Sequence, residues 1–167
     1  MKYHQAYMKI ALAEAEKAFQ KREIPIGAVI INDAGRILSK AHNESITRKD
    51  PTAHAEILAL RQAAETVKNY RLSNTKLYVT IEPCLMCAGA LIQARVEEVI
   101  FGACDPKGGA LKSLYKVAED DRLNHQIKVT SGILESDCAE IIHRFFKERR
   151  GDKKDNYLSG GEVPKWS

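Results

Sequence analysis

The sequence predicts a layered α/β domain whose central sheet is partly parallel. β-Branched runs alternate with helical segments in the order strand, helix, strand, helix, strand, which is the pattern of this class. The 167 residues are about the size of one domain and are enough to bury one core. Hydrophobic and charged residues make up 44% and 29% of the chain, as in globular proteins.

The first half of the chain predicts a helix, a hairpin and a second helix. Apolar side chains recur at helical spacing after Tyr3, and a β-branched run after Pro25 leads into a turn that contains Gly35. Asp50-Pro51-Thr52 is a helix-start signal because it combines capping side chains with proline. The predicted segments are a helix at 3–21, strands at 26–31 and 36–41, and a helix at 54–67.

The second half predicts the remaining strands and two further helices. Pro83 begins an apolar helix between two strand-like runs, and 105–109 is a glycine-containing loop. The predicted segments are strands at 77–81, 96–103 and 127–130, and helices at 83–93 and from about 136. The domain is therefore expected to span residues 1–150, with residues 151–167 forming a polar, mobile tail.

Charge and hydropathy favour a cytoplasmic protein. No apolar run approaches the roughly 20 residues that a bilayer span requires, and the N-terminal segment is amphipathic instead of resembling a signal peptide. The net charge of +4 is modest, but basic residues cluster between Arg144 and Lys154. This cluster could contact phosphates or could be a solvated helix end.

Four residues predict a catalytic zinc site. Zinc prefers nitrogen and thiolate ligands, and a catalytic site keeps one of its four positions open; His54, Cys84 and Cys87 supply three ligands. Cys84 and Cys87 are three residues apart and therefore lie on one helical face. Glu56, near His54 at the start of a helix, is placed to transfer a proton from water activated by the metal.

Other interpretations of these residues are possible. The Cys84/Cys87 pair alone would also suit a redox dithiol or half of a structural zinc site, but a structural site should add a fourth ligand at short spacing. Cys104 is too distant to be a good candidate, and both it and Cys138 are expected to be small buried side chains. The remaining histidines stand alone and are expected to be structural or exposed.

Two segments, Pro51-Thr52-Ala53-His54-Ala55-Glu56 and Glu82-Pro83-Cys84-Leu85-Met86-Cys87, resemble the signature of the cytidine deaminase-like superfamily. More narrowly, the chain resembles the bacterial TadA-type tRNA adenosine deaminases as far as about Arg150. The resemblance implies a three-layer α/β/α fold with a mixed five-stranded sheet, one zinc per subunit and a homodimer. It also implies hydrolysis of adenosine to inosine at the first (wobble) position of a tRNA anticodon, with Glu56 as the proton shuttle.

The resemblance also assigns substrate-facing residues. Asn43 matches a position that binds the flipped nucleotide, Asp105 matches one that contacts a neighbouring ribose, and Lys107 lies where backbone contacts are expected. Residues Phe145, Lys147 and Arg149 resemble an edge on which the anticodon loop rests. From the residues alone, Asn43 could be a turn residue and Phe145 could belong to the core. Cys104 and Lys112 depart from the family pattern, and Lys112 could supply the charge that is missing at Cys104.

Two other functions fit the same zinc residues. One is a deaminase of the same superfamily that acts on a free base or nucleotide such as guanine or cytidine. The other is a zinc-stabilised RNA-binding module without catalysis. The loop around Asp105 and the C-terminal basic residues favour tRNA.

Overall fold

The computed structural model describes residues 2–158, with side chains through residue 151. It contains one mixed five-stranded sheet in the order β2-β1-β3-β4-β5, which confirms the predicted α/β class. In chain order the elements are α1 (Lys2–Gln20), β1 (Gly27–Asn32), β2 (Ile37–His42), α2 (Ser45–Arg48), α3 (Ala55–Val67), β3 (Thr75–Ile81), α4 (Leu85–Gln93), β4 (Glu98–Ala103), β5 (Lys128–Ser131) and α5 (Glu135–Leu158). A short 3-10 turn lies at Val117–Glu119.

The strand directions bring several chain segments to one edge of the sheet. β1 is antiparallel to both β2 and β3, whereas β3, β4 and β5 run parallel. The carboxyl ends of β3 and β4 therefore lie beside the amino end of β1. In open α/β sheets, ligands bind outside the carboxyl ends of the parallel strands, so this edge is where a site is expected.

Helices cover both faces of the sheet, as the predicted layers require. Strand side chains alternate between the two faces; for example, Ile30 joins the core beneath α3 and α4, while Ile31 joins the core beneath α1 and α5. Gly102 allows α5 to approach β4, because a Cβ at this position would lie 2.3 Å from the Cys138 sulfur. Within residues 2–158, no helix has both the length and the apolar character needed to cross a bilayer.

The largest differences from the predicted elements are at α2 and at the end of α5, and the other bounds agree within two residues. Helix α2 was not predicted; it is a single turn whose backbone amides at Ile46 and Thr47 donate to the buried Glu23 carboxylate. Helix α5 continues to Leu158, so residues 151–158 are helical where a tail was expected. The rest of that predicted tail, residues 159–167, lies outside the described residues.

Candidate active site

The predicted zinc ligands meet where two helices begin. His54 is the N-cap residue of α3 and Cys84 is the N-cap residue of α4, one residue earlier than the first-turn positions predicted from the sequence. Both have extended backbone, and neither side chain caps its own helix. Their side chains are therefore free to turn toward each other, and Cys87 joins them from the first turn of α4.

The distances among these three side chains fit one zinc ion. The Nδ1 atom of His54 lies 3.6 Å from the Cys84 sulfur and 3.5 Å from the Cys87 sulfur. Tetrahedral zinc with its usual bond lengths separates a nitrogen and a sulfur ligand by about 3.6 Å. Within residues 2–151 no fourth histidine, cysteine or carboxylate joins this group, so the set leaves one coordination position open.

The electrostatics of the two thiols also suit a cation. A hydrogen bond from the Cys87 thiol, assisted by one from His54, lowers the pKa of Cys84 to about 4. The same shared hydrogen bond, together with burial, raises the pKa of Cys87. The lowered pKa favours the thiolate form of Cys84, which is the form that ligates a metal.

Glu56 lies beside the ligands as a buried carboxylate. It is 2% exposed, and its Oε2 atom has no hydrogen-bond partner within the described part of the chain. Burial raises the pKa of Glu56 to about 7. A buried oxygen without a partner is costly in a folded protein, which indicates an atom reserved for a bound molecule.

His54, Glu56 and Cys84 line a cavity of about 630 Å³ at the carboxyl edge of the sheet, whereas Cys87 is fully buried. The predicted Asp105 and Lys107 line it too, from the loop that follows β4, whereas Asn43 is not among its lining residues. The full lining comprises Ile24, Ile26, His54, Glu56, Ile81, Glu82, Cys84, Ala103, Cys104, Asp105, Lys107, Ala139, Ile142, His143, Phe146 and Arg150.

Asn43 acts instead on the helix that carries two site residues. It is 3% exposed, and its Oδ1 atom accepts a hydrogen bond of 2.7 Å from the backbone amide of Ala55. This bond satisfies one of the free amides at the start of α3, between His54 and Glu56. The structure therefore gives Asn43 a positioning role, and direct contact with substrate stays a prediction.

Helix α5 places Phe145 in the core, which is one of the two interpretations that its sequence position allows. Phe145 is only 4% exposed and packs edge-on against Phe19 and Phe146, so it belongs to the core and does not line the cavity. Arg149 lies over the Phe145 ring, away from the cavity, and Lys147 is exposed. Adjacent residues on a helix point about 100° apart, which turns Phe146 toward the cavity when Phe145 faces the core.

The cavity face of α5 comprises residues that the sequence interpretation missed. His143, Phe146 and Arg150 follow helical spacing and line the cavity together. That spacing was the available signal, but choosing the correct face required the packing of α5 on the sheet. Cys104 lines the cavity, whereas Lys112 does not, and the Lys112 Nζ donates to Ser131 Oγ at 2.8 Å. A charge contributed by Lys112 in place of Cys104 stays a prediction.

Residues 2–150 match the family model described as MafB19-like deaminase. The chain is 47% identical over 152 residues to the tRNA-specific adenosine deaminase of Haemophilus influenzae, covering 91% of this chain and 88% of that protein. It is 46% identical over 154 residues to the Bacillus subtilis protein of the same name, covering 92% and 95%. A structure from a study of A-to-I editing by tRNA:A34 deaminases at the wobble position superposes with a TM-score of 0.78 at 43% identity, covering 81% of this chain and 98% of that one.

Proposed function

This chain belongs to the deaminase family that contains the tRNA-specific adenosine deaminases, and we propose that it converts adenosine to inosine at the wobble position of a tRNA anticodon. One observation carries this proposal. Three zinc-compatible ligands with an open position lie beside the buried carboxylate of Glu56, whose Oε2 atom has no hydrogen-bond partner among the described residues, and His54, Cys84 and Glu56 line a cavity. Zinc-dependent deaminases use three protein ligands for the metal and a nearby glutamate as general acid and base, and this site contains residues of both kinds.

His54, Cys84 and Cys87 would hold the zinc ion, since their distances and ligand types fit it. When bound, zinc supplies Lewis acidity that lowers the pKa of water toward ~7. The three-ligand set also disfavours a purely structural site, which would close the coordination sphere with a fourth protein ligand.

Glu56 would move the protons of the reaction. Its free Oε2 can accept a proton from the attacking water and deliver it to N1 of the adenine ring as oxygen bonds to C6. A second transfer, from the new hydroxyl group to the amine at C6, lets the C–N bond break with its electrons leaving on nitrogen. Adenosine and water thus become inosine and ammonia.

The rim of the cavity would bind the RNA that carries the adenosine. Phe146 is 42% exposed and can stack a base, while Lys107 and Arg150 can bind phosphates and Asp105 a ribose hydroxyl. Lys147 and Arg149 lie outside the cavity, where they would contact the more distant backbone of the anticodon stem-loop.

Total tRNA treated with the purified zinc-loaded protein tests this function. Sequencing should detect an adenosine-to-inosine change confined to a wobble position. Ammonia release from free guanine, cytidine or adenosine without tRNA editing would instead establish the free-base or nucleotide deaminase. RNA binding with no inosine from any substrate would establish the non-catalytic module.

We further propose that the chain acts as a cytoplasmic homodimer. α3 and α4 border an apolar groove of about 350 Å³, and Leu85 and Met86 at the start of α4 are 50% and 37% exposed. Exposed apolar surface of this kind is typical of an interface. Light scattering coupled to gel filtration should give twice the chain mass, and Met86→Glu should shift the protein toward monomer. A monomeric wild-type protein would refute the dimer.

A further inference from the structure

The loop between β4 and the 3-10 turn folds around one buried carboxylate, that of Glu82. Four backbone amides of this loop donate to it: Asp105 N to Oε2 at 3.1 Å, and Leu111 N, Lys112 N and Ser113 N to Oε1 at 3.1, 2.7 and 2.9 Å. The Ser113 hydroxyl also donates to Oε2. Glu82 is 2% exposed, so these bonds lie away from solvent.

Only a carboxylate satisfies this set of donors. All five groups that point at Glu82 are N–H or O–H groups, and an ionised carboxylate is the side chain that only accepts. Backbone amides supply the compensation that a lysine or arginine would supply in an ion pair. The donors of the loop therefore require a carboxylate at position 82, and the hydrogen bonds to Glu82 in turn hold the loop in its conformation.

The same contact joins the loop to the metal-binding segment. Glu82 directly precedes Pro83 and Cys84, and the loop pairs with them, since Ala110 N donates to the Pro83 carbonyl at 2.9 Å. Gly109 makes this approach possible, because a Cβ there would lie 2.3 Å from Glu82 Cδ. A shift of the loop would therefore displace backbone atoms next to the zinc ligand Cys84.

We propose that Glu82 is a positioning residue for substrate, fixing the loop of residues 105–113 so that Asp105 and Lys107 face the cavity next to the zinc ligands. The inference rests on the proposed function, in which this loop contacts the RNA. Glu82 itself touches no reacting atom in this scheme. Its loss should weaken substrate binding more than it slows the chemical step.

Glu82→Gln tests the hydrogen bonds to the loop while it keeps the size and shape of the side chain. The amide oxygen can take the Oε1 position and keep three donors, and Ser113 can rotate its hydroxyl to accept from the new NH₂ group. Asp105 N–H then faces the NH₂ group and loses its acceptor. A buried amide without a partner is costly, so Asp105 should move or become more mobile.

The test uses the zinc-loaded full chain with an anticodon stem-loop RNA as substrate. For Glu82→Gln we expect KM to rise about tenfold, which corresponds to about 1.4 kcal/mol, with kcat within threefold of wild type and zinc content unchanged. Amide hydrogen exchange in residues 105–113 should accelerate about tenfold, while exchange in β3 and α4 stays as in wild type. Glu98→Gln is the matched control, since Glu98 is likewise buried, at 3% exposure, but begins β4 at the opposite edge of the sheet.

Gly109→Ala provides an independent variant that leaves Glu82 in place. Its Cβ must push the loop off the carboxylate, so it should reproduce both the higher KM and the faster exchange. Unchanged KM and exchange in Glu82→Gln or in Gly109→Ala would overturn the inference, and so would a loss of zinc with kcat and KM changed together. If the wild-type protein edits no RNA, the proposed function fails, whereas the exchange measurement still decides whether Glu82 holds the loop.

Discussion

Replacing Glu56 by glutamine should abolish most of the turnover while leaving the site assembled. Glutamine has nearly the same shape, and the Oε2 atom that it replaces makes no hydrogen bond among the described residues, so no structural contact is lost. What disappears is the ability to accept and deliver protons. General acid–base catalysis typically contributes about 10²- to 10⁴-fold, or about 3–5 kcal/mol of transition-state stabilisation.

Single-turnover assays on an anticodon stem-loop would measure this loss, with inosine quantified after nuclease digestion. Zinc content and RNA affinity should match wild type, because Glu56 is not among the grouped metal ligands and, at 2% exposure, offers little surface to the RNA. A zinc-loaded variant that retained turnover within tenfold of wild type would refute the role of Glu56. Loss of zinc would show instead that the carboxylate supports the metal site.

Three other perturbations have defined outcomes. Gly102→Ala should destabilise the fold by about 1–3 kcal/mol in urea denaturation, because its Cβ would lie 2.3 Å from the Cys138 sulfur; unchanged stability would contradict this packing. Cys87→Ser should lose zinc in metal analysis and stay inactive when zinc is added back, whereas chelated wild type should recover. Burial raises the pKa of Glu98, but hydrogen bonds from Lys76 and Thr130 outweigh it and hold that pKa below its usual 4.5. Its stabilisation is therefore present above pH 4.5 and lost as the pH falls below it, so Glu98→Gln should flatten that part of the stability profile in urea titrations at several pH values.

The group of possible metal ligands could be predicted because metal binding constrains residue type and spacing together. His54, Cys84 and Cys87 have few alternative uses in that combination, and the structure brings their ligand atoms together. The position of Glu56 beside these ligands followed from its two-residue distance from His54. Local spacing was sufficient to predict these residues because His54 and Glu56 lie together at the start of α3, and Cys84 and Cys87 lie together at the start of α4.

The substrate-facing surface could not be predicted in the same way. Phe145 and Phe146 are adjacent and chemically identical, so only the packing of α5 against α1 decides which one is exposed. Glu82 looked like part of the cysteine motif, because the amides that bind it lie more than twenty residues away along the chain. Such long-range backbone contacts leave no local pattern in the sequence.

One face of α5 packs in the core of the domain, and the other face borders the cavity. Cys138, Ile141 and Phe145 are buried against the rest of the domain, while Ile142 and Phe146 border the cavity. Substitutions on the cavity face should therefore disturb the core less than substitutions on the buried face. The cavity face of α5 therefore provides positions at which substitutions can change substrate preference while the fold and the metal ligands stay the same. The same positions are suited to engineering this enzyme toward other nucleic acids.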